Sequence, residues 1–165
     1  MGNMEKFEAI LESHFDAVME IYSQGIATKN ATFETSCPTW SQWHDSHLPF
    51  GRWILWVDDK LAGWSALSPH SSRCVYQGVA ELSIYMSEEF QGKGYGKKLL
   101  LHSIEDSEKK GIWTLKAGIF PENIGSIKLH ESCGFRLIGY HEKIGRMDGI
   151  WRDTILMERR SKTIQ

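Results

Sequence analysis

Several things are scarce in this chain, and each scarcity closes off a class of protein. It has only three cysteines, Cys37, Cys74 and Cys133, scattered with no CxxC or His/Cys ligand spacing, so neither a disulfide framework nor a zinc or redox site is read from them. Lys+Arg 19 against Asp+Glu 21 leaves a formal charge of −2, which supplies no whole-chain field for nucleic acid or an anionic membrane. No uncharged apolar run approaches the roughly 18 residues that a membrane span needs. Residues 1–6 show no apolar leader core, and Lys6 stands where a myristoylation pattern has Ser or Thr. Repeats and low-complexity tracts are also missing. The expectation is a cytoplasmic protein with reduced thiols, no metal, no nucleic-acid partner and no membrane partner.

What is present is ordinary globular usage, with 41% hydrophobic and 24% charged residues over 165 positions, enough for one domain spanning 1–165. The unusual component is seven tryptophans. Each indole buries a large surface and wants a partner for its N–H, so either the core is heavy in aromatics or a pocket is lined with rings.

Periodicity orders the elements. Ser13 and Asp16 resemble a capping box, and Phe15, Val18, Met19, Tyr22 and Ile26 follow at helical spacing. Thr39 with Gln42 predicts a second helix start, with Trp40, Trp43 and His47 along one side before Pro49. Trp53 to Val57 and Leu61 to Leu67 read as a hairpin turning at Asp58-Asp59-Lys60. From Val79 to Met86 the residues alternate, with Val79, Glu81, Ser83 and Tyr85 on one face of a strand. A helix over 97–110, a strand over 113–120, a helix over 123–132 closed by Gly134, and a last hairpin over 135–144 and 150–158 complete an α+β order with one β-α-β unit in its middle.

The sharpest local signal is Gln91-Gly92-Lys93-Gly94-Tyr95-Gly96, which runs from the Val79–Met86 strand straight into a helix at Lys97. Glycines let backbone N–H groups approach a ligand, and a helix start adds unpaired donors and the positive end of a dipole, which together suit a pyrophosphate. The spelling excludes the Walker and dinucleotide patterns, because Lys98 follows Lys97 and no glycine stands at 97. Taken alone, the turn is equally a plain glycine cap on a helix.

Gln91-x-x-Gly94-x-Gly96 resembles the Q/R-x-x-G-x-G/A acetyl-CoA signature of the GNAT N-acetyltransferase superfamily. Its surroundings, Ala80 to Met86 upstream and Pro121-Glu122-Asn123, Ser126, Leu129-His130-Glu131 and Cys133-Gly134-Phe135 downstream, are similar to the phosphinothricin and methionine sulfone/sulfoximine branch. So are Ala31 to Thr35 and Asp148-Gly149-x-Trp151-x-Asp153, so the likeness spans nearly the whole chain in order. It implies a twisted, mostly antiparallel sheet splayed at its centre, flanked by helices, with coenzyme A in the opening. The pyrophosphate would rest on Gln91, Gly92, Lys93, Gly94, Tyr95, Gly96 and Lys97, and the acetyl-pantetheine arm against the backbone of Ile84, Tyr85 and Met86. Asn123 and Ser126 would hold the arm further along. The acceptor would be a small-molecule amine, and a homodimer is usual among such enzymes.

Two side chains carry the expected chemistry. An amine is mostly protonated at neutral pH, so the carboxylate of Glu81 has a defined task as general base; read from alternation alone it is a surface-facing strand glutamate. His130 lies at i+7 from Asn123, where the resemblance implies a group near the sulfur. With a pKa near about 6.5 an imidazole suits protonating the departing thiolate, although a lone histidine is more often structural. Arg73, with Tyr76 beyond it, is implied as the contact for an acceptor carboxylate, against the plain reading of a solvated loop arginine. The branch tends to carry a basic pair after the tyrosine, where this chain has Gln77-Gly78. Phe33, Glu34 and Tyr85 are expected to complete the acceptor pocket, with Trp40 and Trp43 helping to wall it. Trp151 and Asp153, on one face of the last strand, are open as site residues or as part of a dimer contact, and the structural reading of the pair comes first.

Overall fold

The computed structural model describes residues 2–165. Among them seven strands form one sheet in the order β1-β2-β3-β4-β5-β7-β6. In chain order the elements are β1 (Glu5–Ala9), α1 (Phe15–Thr28), α2 (Trp40–Ser46), β2 (Trp53–Val57), β3 (Lys60–Pro69), β4 (Val79–Met86), α3 (Tyr95–Lys109), β5 (Thr114–Ile119), α4 (Ile124–Ser132), β6 (Arg136–Met147) and β7 (Ile150–Arg160). All neighbours are antiparallel except β4 and β5, which the helix α3 connects as a parallel pair. None of these helices is long and apolar enough to cross a membrane.

That parallel pair is short. The ladder joins Val79 to Thr114, Ala80 to Leu115 and Glu81 to Lys116, and there it stops. Beyond it, Leu82 to Met86 pair only with β3, and Ala117 to Ile119 only with β7. The sheet is therefore closed at one end and split at the other, with Glu81 at the apex of the opening. Gly78 secures the closed end, because its carbonyl accepts from Trp113 N–H at 2.7 Å and from Thr114 N–H at 3.1 Å. The Trp113 ring lies flat against this glycine, in space that any Cβ at position 78 would occupy. That contact leaves no space for a side chain at position 78.

Helices cover both faces. α1 and α2 bury Phe15, Val18, Tyr22 and Trp43 on Ile54, Trp64 and Ala66. On the opposite face α3 sets Tyr95 and Leu99 against Leu55 and Val57, while Leu100 and Ile104 join a cluster with Leu82, Leu115, Phe135 and Met157. Ser103 on α3 meets Ser65 of β3 at 2.6 Å in the interior, satisfying two buried hydroxyls at once.

The sequence expectations need four corrections. Ser13 does not cap α1; a 3-10 turn over Glu12–His14 leads into it, and Leu11 N–H donates to His14 Nδ1 at 3.0 Å. β1 was not anticipated, since an edge strand that alternates Glu5, Phe7 and Ala9 with Lys6 and Glu8 has too little apolar contrast to register. β6 extends to Met147, with its register broken between His141 and Gly145. Trp40 and Trp43 are absent from the lining of the cavity at the β4–β5 split and pack on α1 instead. The Thr39–Gln42 capping box is present, with Thr39 N–H donating to Gln42 Oε1 at 2.9 Å, and it starts α2 so that both rings face Phe15 at 5.5 and 6.0 Å.

Replacing Gly78 with alanine is expected to destabilise the protein by about 1–3 kcal/mol, because the added Cβ would overlap the Trp113 indole. Urea denaturation followed by tryptophan fluorescence checks this; an unchanged midpoint would show that Trp113 does not lock the closed end.

Candidate active site

A cavity of about 350 Å³ lies at the split between β4 and β5. Four elements wall it: the connection after α1 from Asn30 to Glu34, β4 from Glu81 to Tyr85, β5 with Phe120, and the inner side of α4. It brings together Phe33, Glu34, Glu81, Ile84, Tyr85, Asn123, Ser126 and His130, all of them anticipated as site residues. Tyr22, Asn30, Thr32, Phe120 and Thr154 are also in the lining and were not anticipated. In sequence Tyr22 is indistinguishable from a core-facing helix residue, and it serves as both: it is buried beneath α1, while its hydroxyl meets Thr32 Oγ1 at 3.1 Å.

Glu81 points into the cleft opposite a deliberate gap. Its Oε1 lies 3.9 Å from where a Cβ on Gly118 would sit, so the glycine of β5 leaves room before the carboxylate. Tyr85 is wedged between Trp64, stacked at 5.0 Å, and Tyr22, edge-on at 4.9 Å. Burial pushes both phenols above their usual range, which keeps them neutral hydrogen-bonding groups.

His130 is almost fully buried, at 2% exposure. Its Nδ1 sits 2.7 Å from the Ser126 carbonyl, and since a carbonyl only accepts, Nδ1 carries the proton. Burial lowers its pKa from the usual imidazole value, with the Ser126 bond opposing the shift, so the neutral ring dominates at neutral pH. In that form Nε2 is an acceptor. Donation to a thiolate requires that the ring first gain a proton.

Asn123 caps α4 by accepting from Ser126 N–H at 3.2 Å, and its amide also donates to the Asn30 carbonyl at 3.1 Å.

The glycine turn lies at the other end of β4. Gly92 and Gly94 adopt φ of 72° and 86°, and around both the Cβ direction is open space. Gly94 is the N-cap of α3 and has no side chain to offer, so the first-turn N–H groups of a 15-residue helix point outward without a side-chain cap. Gln91 donates from Nε2 to the Met86 carbonyl at 3.1 Å, tying the turn to the strand end, and Lys93 folds back onto the Glu89 carbonyl. Gly96 packs where a Cβ would lie 3.4 Å from Leu129 and 3.5 Å from Met86. Orphan donors, two left-handed glycines and unpaired strand edges fit a diphosphate with an extended amide-bearing arm. Gln91 to Lys97 and the edge of Ile84 to Met86 are the groups that would hold it.

Other anticipated residues are not gathered here. Arg73 and Tyr76 are absent from the cavity lining; the guanidinium covers the Tyr76 ring at 5.5 Å on an exposed 3-10 turn. Trp151 is exposed beneath Arg146, and Asp153 accepts from the Tyr140 hydroxyl and from Lys143 N–H at 2.6 Å, which holds its carboxyl below the usual range. Both are structural parts of the β6–β7 hairpin. Among the described residues no cluster of His, Cys, Asp or Glu has metal-ligand geometry.

A mixed sheet split at its single parallel pair, with a glycine turn opening a helix at one end of the split and a carboxylate at its apex, defines an acetyl-CoA-dependent N-acetyltransferase. Residues 14–135 match the acetyltransferase (GNAT) family, and the chain belongs to it. It is similar to the phosphinothricin N-acetyltransferase of Alcaligenes faecalis, 30% identical over 91% of this chain and 79% of that one. The L-methionine sulfoximine/L-methionine sulfone acetyltransferase of Salmonella typhimurium is 27% identical, with 86% of each chain covered. In fold it superposes on a phosphinothricin acetyltransferase from Sinorhizobium meliloti solved with acetyl-CoA, with a TM-score of 0.82, 24% identity, and 97% and 95% of the two chains covered.

The geometry of His130 makes a spectroscopic prediction. Nitrogen-15 NMR is expected to find the proton on Nδ1 at pH 7 and a titration midpoint below about 6.5. A midpoint above that value, or a proton on Nε2, would contradict the assignment.

Proposed function

We propose that the enzyme transfers the acetyl group of acetyl-CoA to the α-amine of a small amino acid or analogue of the phosphinothricin or methionine sulfoximine/sulfone kind, by direct attack in a ternary complex. The observation that carries this reading is the single cavity that joins Glu81 and His130 at the sheet opening to Phe33 and Glu34 on the covering segment. The named activities of the similar proteins from A. faecalis and S. typhimurium support the acceptor class.

In this reading Glu81 takes the proton of the incoming ammonium, directly or through a water, and frees the nitrogen lone pair. A backbone N–H on the unpaired edge of Ile84 to Met86 stabilises the negative oxygen that develops at the thioester carbonyl, a role that needs no particular side chain. Bound acetyl-CoA supplies an activated acyl group. His130 Nε2 takes the second proton, which the attacking nitrogen loses once it is bonded to the carbonyl carbon, and passes it to the sulfur as the C–S bond breaks, so the neutral resting ring is restored. Arg73 and Tyr76 are retained as acceptor contacts on the strength of the resemblance, reached by movement of their exposed turn. A homodimer belongs to the same reading, supported by the exposed Leu137, Ile144, Ile150 and Trp151 of the last hairpin.

One observation favours a second acceptor class. Glu34 and Glu81 line the cavity and no lysine or arginine does, a charge pattern that suits a second ammonium, as in a polyamine, better than a carboxylate.

A thiol-release assay with acetyl-CoA separates the two, using amino acids with their sulfone, sulfoximine and phosphinate analogues, polyamines and a peptide amine. Turnover is expected with the amino-acid analogues; turnover only with polyamines or the peptide would replace the acceptor class. Glu81→Gln is expected to lower kcat by about 10²- to 10⁴-fold with little change in acetyl-CoA affinity, and unchanged kcat would remove Glu81 as the base.

A further inference from the structure

We infer that Arg152 is the residue that sets the acceptor wall of the cavity, acting as a clamp on the segment Asn30 to Glu34. This deepens the proposed function and rests on the reading that the cavity receives the acceptor.

The segment that carries Phe33 and Glu34 leaves α1 through Lys29, a non-glycine residue held at φ 58°. Left-handed backbone is disfavoured for a residue with a Cβ, so the conformation calls for a restraint beyond the bond from Lys29 N–H to the Ile26 carbonyl at 3.1 Å that ends α1. Arg152 of β7 supplies the restraint. Its Nη1 donates to the Lys29 carbonyl at 2.8 Å and its Nη2 to Asn30 Oδ1, also at 2.8 Å, while Glu122 Oε2 lies 3.4 Å from Nη2. A cation at the C-terminal end of α1 also faces the negative end of that helix dipole.

The same guanidinium lies 4.1 Å above the ring of Phe120, and that ring meets Phe33 edge-to-face with centroids 4.8 Å apart. Phe33 in turn needs Gly145 of β6 beneath it, because a Cβ there would come within 2.7 Å of the ring. The segment is thus gripped at its start by hydrogen bonds and at Phe33 by an aromatic stack, and both grips pass through one planar cation. The side chain is only 13% exposed, so the guanidinium is held in place by what it touches. Asn123 adds a bond to the Asn30 carbonyl from α4.

Arg152 lies outside the cavity lining and cannot touch the reacting atoms. It is a positioning residue, and its signature is a split between acceptor binding and turnover. In Arg152→Ala, KM for L-methionine sulfone is expected to rise about tenfold while KM for acetyl-CoA and kcat stay within about threefold. Amides of residues 30–34 should exchange faster in hydrogen–deuterium exchange, with β4 amides unchanged. Arg152→Lys keeps the charge but loses the fork and the flat stack, so it is expected to behave like the alanine variant. Glu122→Ala, at an exposed residue outside the cavity lining, frees one side of the guanidinium without disturbing the stack and should give a smaller shift of the same kind, which covers the case of an Arg152 variant that fails to fold. Unchanged exchange in residues 30–34, or faster exchange with an unchanged acceptor KM, would overturn the clamp. A wild-type enzyme inactive on L-methionine sulfone would count against the proposed acceptor, and the exchange data would then decide the clamp by themselves.

Discussion

Everything functional in this protein depends on a ladder that ends early. Backbone N–H and C=O groups in the middle of a sheet ordinarily satisfy one another, yet after Glu81 and Lys116 the strands β4 and β5 part and leave their facing edges to other partners. Such an opening is tolerable only if a ligand, water or side chains take up those groups. The packing around it is accordingly arranged to keep both strands straight and separate: β3 backs β4 along its whole length, β7 backs β5, and α3 and α4 seal one face. The cavity is therefore a property of the sheet itself, which makes it more rigid than a pocket built from loops alone.

Electrostatics follow from the same arrangement. With a net charge of −2 the chain presents no broad basic surface, and the groups suited to an anionic donor are backbone N–H donors at the start of α3 together with a few local lysines. The cavity at the split is different in kind. There two carboxylates, two neutral phenols and a neutral imidazole surround an aromatic wall, and the cations of that region are already engaged with protein groups, as Arg152 is with Lys29 and Asn30 and Lys29 is with Asp148.

Much of this was legible in the chain. β4 runs over Val79–Met86 as its alternation predicts, because one face of a half-buried strand imprints period two directly on the sequence. The glycine turn was legible for an equally local reason, since left-handed backbone at Gly92 and Gly94 restricts which residues can stand there. Long-range features were not. Nothing in the spelling of Trp40 and Trp43 says which wall they face; the direction of α2 decides that. Arg73 carries the right chemistry in the right order, and yet its turn lies to one side of the cavity. Arg152 had no local signal at all, because its importance comes from Lys29 and Asn30 just after α1 and from Phe120 just after β5, each far away in sequence.

The brevity of the parallel pair also has a temporal side. One arm of the sheet, β1 to β4, is made wholly from residues before position 87, and two buried clusters, drawn from Phe7 to Leu99, already fill both of its faces. The other arm, β5 to β7, completes only the third cluster, in which Leu67, Ala80 and Leu82 wait for Leu115, Phe135 and Met157. A ribosome releasing this chain from its N-terminus would thus deliver nearly a whole half-core first and the catalytic cleft last. Nascent chains would hold a folded first arm whose edge along β4 is the one that later borders the cleft.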